Sequence, residues 1–93
     1  MSTYIHRKLS IQGRVQGVAY RANTRQMAQS LGLCGFVQNE SDGSVYAEVE
    51  GPEELVNRFI NWCHDGPRLA RVEAIQIKEG VMQDFSGFEI RKI

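Results

Sequence analysis

Cysteine, histidine and proline are scarce in this 93-residue chain, which holds two of each. Cys34 and Cys63 lie far apart and form no CxxC, which excludes a metal knuckle and a thioredoxin-type redox pair. They read as thiols buried in a reducing compartment, although spacing alone leaves pairing under oxidising conditions open. Long apolar runs are missing too. No stretch approaches the ~20 residues of a membrane span, and the opening MSTYIHRKLS has neither an apolar core nor a cleavage site. The expected address is therefore the cytoplasm, with no membrane partner. Nor is there an excess of charge, because 11 basic and 11 acidic residues cancel. That balance speaks against a general nucleic-acid or membrane-surface binder. With 42% hydrophobic and 24% charged residues, the composition fits a single domain over residues 1–93, expected to be a monomer.

What is present is unevenly distributed. Residues 1–39 contain Arg7, Lys8, Arg14, Arg21 and Arg25 and no acid, whereas residues 40–66 contain seven acids and only Arg58. The first third is electrostatically suited to a small anion, although five cations scattered on a solvated face would count the same.

Ile5, Leu9, Ile11 and Val15 share one side of a period-two pattern, which predicts a strand with its other side, including His6 and Lys8, in water. The period changes from about Ala22 to Leu33, where Thr24, Met27, Ala28 and Leu31 form a helical stripe ended by Gly32 and Gly35. Phe36 to Asn39 and Val45 to Val49 read as strands joined at Asp42-Gly43, a hairpin signal of the primed-turn kind. Pro52, Glu53 and Glu54 begin a second helix, with Leu55, Val56, Phe59, Ile60 and Cys63 on its buried stripe, and His64 and Gly66-Pro67 end it. A fourth strand is expected over Leu69 to Lys78, where Val72, Ile75 and Ile77 break parity once, as a bulge would. A last extended piece covers Asp84 to Ile93. The order β-α-β-β-α-β plus a tail strand predicts an α+β, ferredoxin-like sandwich, an antiparallel sheet with both helices on one face.

The junction of the first strand and first helix, Gly13-Arg14-Val15-Gln16-Gly17-Val18-Ala19-Tyr20-Arg21, is where chemistry can sit. Its backbone N–H groups can converge on an anion at the positive end of a helix. Arg21 offers a planar fork that matches two phosphate oxygens, which a lysine does not. The same pattern also serves turns that merely need positive φ, so the residues alone leave both readings open. A Walker loop is excluded, because no Lys and Ser or Thr follow the second glycine. Asn39, at a strand end, can donate and accept at once and so hold a water, or cap its own turn. His6 and His64 are the only histidines, and no catalytic triad, Cys-His pair or ligand cluster is legible.

Gly13 to Arg21, GRVQGVxxR, together with Gly35-x-Val37-x-Asn39 and Asp42-Gly43-x-Val45, resembles the acylphosphatases across nearly the whole chain. The resemblance implies a ferredoxin-like, metal-independent hydrolase with no cofactor. Its substrate would be a small acyl phosphate, and inorganic phosphate would be its product and inhibitor. By resemblance Arg21 is the phosphate-binding arginine, Asn39 orients the attacking water, and Gln16, Gly17, Val18, Ala19 and Tyr20 form the backbone cradle. Two positions depart from the family pattern: Tyr20 stands where Phe is usual, and Ala19 where Gly or a larger residue is common. A hydroxyl at Tyr20 could stand near the site or change how the loop packs.

A carboxylate leaving group, with a reference pKa of about 4, needs no general acid. Positioning and charge stabilisation are then the main demands. The competing readings are a ferredoxin-like module that binds RNA on its sheet, and an anion-binding domain without turnover. Gly35-Phe36-Val37 echoes part of an RNA-recognition motif, but the echo stops at Asn39, where a stacking aromatic belongs.

Overall fold

Period-two alternation in the first fifteen residues becomes β1 (Tyr4–Arg14), and the switch to a helical period becomes α1 (Tyr20–Ser30). Then follow β2 (Cys34–Asn39), β3 (Val45–Pro52), α2 (Glu53–Asp65), β4 (Arg71–Gly80) and β5 (Phe88–Arg91). This is a computed structural model, and it describes residues 3–92.

The sheet runs β4-β1-β3-β2-β5. β1 pairs antiparallel with β3 and β4, and β2 antiparallel with β3, whereas β5 lies parallel to β2 with Val37 opposite Ile90. The sheet is therefore mixed rather than wholly antiparallel, because the chain leaving β4 crosses to the far edge before it pairs again. Between Gln12 and Gly13 the pairing with β4 shifts by a residue. This is the bulge that the parity break in β4 anticipates, and a Cβ at Gly13 would overlap the Arg71 carbonyl.

Both helices cover one face. Leu9, Ile11, Val37, Val45, Ala47 and Val49 from the sheet meet Ala28, Val56, Phe59 and Cys63 from the helices, all fully buried. Each larger apolar side chain so placed contributes about 1.5–3 kcal/mol. Phe59 meets Phe88 of β5 at 5.8 Å between ring centroids, so the last strand is tied into the same core.

Local details differ from the sequence reading. α1 starts at Tyr20 rather than Ala22, because Ala19 supplies the left-handed residue before it. Pro52 caps α2 at an extended ψ of 135° instead of occupying its first turn. The hairpin turn is longer than two residues: Gly43 N–H donates to Glu40 O, Glu40 N–H donates to Ser44 O, and only Gly43 has positive φ. Cys34 opens β2, Cys63 lies in the last turn of α2, and both cysteines are free.

The largest correction concerns His6, expected in water and in fact 1% exposed. Residues 81–87 fold across this end of the second sheet face. Glu50 accepts from the backbone N–H groups of Gln83 and Phe85 at 2.9 and 2.7 Å. The Phe85 ring stands 5.8 Å from His6 and 5.7 Å, edge on, from Phe36. The ring nitrogens of His6 lie 2.8 Å from Glu50 and Glu48 carboxylate oxygens. Burial pushes the Glu50 carboxyl up, but the Gln83 N–H, His6 and the Phe85 N–H together outweigh it and hold the group below its ordinary value.

Candidate active site

The loop between β1 and α1 is built from the inside outward. Val15 and Val18 are buried and anchor it, while Gly17 between them and Ala19 just after them are exposed. Gly17 has φ 74° and Ala19 φ 62°. A non-glycine residue in this region costs about 1–2 kcal/mol, and the first turn of α1 holds it there. Asn23 donates to Ala19 O twice, from its backbone N–H at 3.1 Å and from its side-chain amide at 2.8 Å. Since the Asn23 N–H makes the first helical bond, the N–H groups of Tyr20, Arg21 and Ala22 precede it and have no partner within the helix.

The two helices treat this shortage differently. The first turn of α2 carries Glu53 and Glu54, whereas that of α1 carries no acid. Acidic side chains offset a helix's positive end when they sit in its first turn. In α1 the place of an acid is taken by the half-buried Arg21, which forms no ion pair among the described residues. Positive potential from backbone and side chain is therefore concentrated at one spot.

Gln16 links the loop to its neighbour. Its side-chain amide donates to Glu40 O at 2.9 Å and Ser44 O at 2.8 Å, at either end of the turn that follows Asn39. Asn39 ends β2 opposite Val45. Its Oδ1 is buried and has no hydrogen-bond partner among the described residues. A buried acceptor without a partner costs about 1–3 kcal/mol, and such atoms are rare enough to call for an occupant.

Tyr20 is resolved in a way the sequence leaves open. The side chain is 1% exposed, and its hydroxyl donates to Cys63 O at 2.7 Å in α2. The ring stands 5.8 Å from Trp62. Burial, with the neighbouring Cys63 adding to it, raises the phenol far above its ordinary value, so it stays neutral. Its hydroxyl thus ties α1 to α2, and only the backbone of Tyr20 belongs to the loop. Cys63 is likewise pushed up by burial, to about 12, against a smaller lowering by the Tyr20 hydroxyl. An inert thiol is the result.

A depression of about 280 Å³ lies along the loop, lined by Gly17, Ala19, Arg21, Ile90 and Lys92 among others. Three contributions here escape a reading of the sequence. The Gln16 side chain acts as a clamp, Asn23 secures Ala19, and Lys92 arrives beside Arg21 only because β5 runs parallel to β2. Asn four residues after a left-handed position is a weak local signal for the second, and nothing local announces the others. His64 is exposed at the end of α2, apart from the residues just described.

The chain has relatives of known kind. The acylphosphatase family model matches residues 7–90. The acylphosphatase of Azoarcus sp. is 51% identical over 88 residues, covering 95% of this chain and 90% of that protein. That of Natronomonas pharaonis is 45% identical over 92 residues, covering 99% and 100%. Among solved structures, an acylphosphatase from Coxiella burnetii superposes with a TM-score of 0.91 at 32% identity, over 95% of this chain and 93% of the other. A match that spans the loop, the Asn39 strand and the final strand in one continuous stretch means that the chain belongs to the acylphosphatase family.

Proposed function

We propose that this protein hydrolyses the carboxyl-phosphate bond of small acyl phosphates, with the phosphoryl group held by residues 16–21 and the attacking water held by Asn39. The observation that carries this reading is the unpartnered, buried Oδ1 of Asn39, at the end of a strand whose following turn is clamped by Gln16 to the loop.

Phosphate oxygens accept from the open N–H groups at the start of α1 and from the Arg21 fork, which neutralise the charge that spreads over them in a loose transition state. Gly17 and Ala19 aim the backbone, and the side chain of Gln16 fixes the loop's position. Asn39 Oδ1 accepts one hydrogen of the water and turns its lone pair to phosphorus. The water oxygen forms the new bond to phosphorus as the bond to the acyl oxygen breaks. The acyl group departs as a carboxylate with its electron pair, and the water's proton passes to a phosphate oxygen of the substrate. No general acid is required for so weak a base.

The protein is further proposed to act as a monomeric single domain in the cytoplasm, without nucleic acid, metal or cofactor, and to bind inorganic phosphate as product and inhibitor. Zero net charge supports the exclusion of nucleic acid, and among the described residues no helix is long and apolar enough to cross a membrane. Hydrolysis of benzoyl phosphate, followed by absorbance with excess chelator present, tests the proposal. Rapid turnover that chelator leaves unchanged is expected. Turnover no faster than the uncatalysed rate would overturn the catalytic reading in favour of an anion-binding domain.

A further inference from the structure

A second polar depression, about 380 Å³, lies on the sheet face turned away from the helices and is lined by Lys8, Ser10, Tyr46, Gln76 and Lys78. The strand register explains this composition. Lys8 of β1 stands directly opposite Lys78 of β4, and in the next row Ser10 lies between Tyr46 of β3 and Gln76 of β4. Directly opposed like charges in an antiparallel pair, with Cβ atoms about 5 Å apart, are destabilising.

The charge that should offset Lys8 is Glu48, its opposite number on β3. Both Glu48 oxygens are engaged elsewhere: His6 Nε2 lies 2.8 Å from Oε1, and the Tyr46 hydroxyl donates to Oε2 at 2.6 Å. Neither Lys8 nor Lys78 forms an ion pair among the described residues. Gly80 adds room, since a Cβ there would come within 3.1 Å of Lys8 Cε and crowd His6. Two unmatched ammonium groups thus share a rigid, sheet-backed hollow with a hydroxyl and an amide that can also donate.

We propose that this hollow is a second anion site, which takes a compact, phosphate-bearing small molecule such as a phosphate monoester or a diphosphate. It is separate from the loop at residues 16–21, because Lys8 and Ser10 point to the opposite face from Leu9 and Ile11, which lie beneath the helices. Phosphate oxygens accept from both lysines and relieve their mutual repulsion. A nucleic-acid strand fits less well: Glu48 and Glu50 on the same face repel a phosphate chain, and the further cation there, Arg91, is already paired with Glu89 and laid over Phe36. The lysines are exposed, so affinity is modest, with Kd about millimolar.

Amide shifts of the isotope-labelled full chain, titrated with inorganic pyrophosphate against sodium chloride of equal ionic strength, test this directly. Saturable shifts are expected at Ser10, Gln76 and Lys78, with a Kd separate from that of any response at residues 16–21. Lys78→Gln, alone or with Lys8→Gln, should weaken binding on this face about tenfold and leave the Kd read at the loop unchanged. Shifts confined to the loop, face shifts that the variants leave intact, or face shifts reproduced by sodium chloride would overturn the site. Tighter binding of a single-stranded oligonucleotide than of pyrophosphate on this face would overturn the choice of occupant.

Discussion

Two groups of buried polar atoms sit on the same sheet and are treated in opposite ways. Around His6 bonding capacity is used up: both ring nitrogens face carboxylates, and Glu50 serves the Gln83 and Phe85 amides as well. Around Asn39 capacity is left over, in Oδ1 and in the first N–H groups of α1. A saturated cluster has nothing to offer a ligand and works to hold the 81–87 segment on the sheet. An unsaturated one is destabilising until something binds. Strength of polar character alone would have pointed to His6 as the reactive centre, and the tally of unfilled bonds points to Asn39 instead.

The largest effect should come from breaking the saturated side. His6→Ala leaves the buried Glu50 and the half-buried Glu48 without their shared partner, and a loss of stability of about 3–5 kcal/mol is expected in denaturant unfolding. The fraction still folded should keep its turnover, and a specific loss of kcat would show that the cluster takes part in the chemistry. On the other side, Asn39→Ala should lower kcat by about 10²–10³-fold, the scale of one positioned hydrogen-bonding group. Because it removes an unsatisfied acceptor, it should leave stability unchanged or slightly raised. A destabilised, fully active variant would reverse the assignment.

Arg21→Lys should weaken inhibition by inorganic phosphate about tenfold and lower the rate with it, as the planar fork is lost while the charge is kept. Unaltered inhibition would place the anion elsewhere. Tyr20→Phe separates a loop residue from its side chain. It should cost about 1–2 kcal/mol in stability, by leaving the Cys63 carbonyl unpaired, with kcat retained. The smallest effect is acid titration. The Glu50 carboxyl is held below its ordinary value in the folded protein, so its contribution is complete above the unfolded carboxylate range and is lost as pH falls through the lower, folded value. Thermal scans against pH should show that loss flattened in Glu50→Gln.

Most of the scaffold was legible because it rests on periodicity. The period-two run of Leu9 and Ile11 and the stripe of Val56, Phe59, Ile60 and Cys63 fall where their patterns place them, and the bulge in β4 showed as a parity break. The candidate site was legible as a contiguous string, Gly13 to Arg21, joined to Asn39. What escaped depends on distant strands. His6 reads as a solvated residue because its cover, residues 81–87, has no pattern of its own, and the direction of the Tyr20 side chain is set by α2. The unfilled state of Asn39 Oδ1 is a property of surroundings that no spacing encodes.

The strand order also governs when this protein can assemble. β1 has no sequence-adjacent partner: Tyr4 pairs with Pro52 and His6 with Gly80, so the first strand must wait for chain made much later. Such distant pairings slow folding, since loop closure precedes any gain from contacts. The β2–β3 hairpin can form early, carrying Asn39 with it, but Gln16 cannot clamp Glu40 and Ser44 until β1 docks beside β3. During synthesis on the ribosome, then, the half of the candidate site held by the hairpin takes shape before the two halves can meet, and activity should arise with the last long-range docking rather than with the first secondary structure.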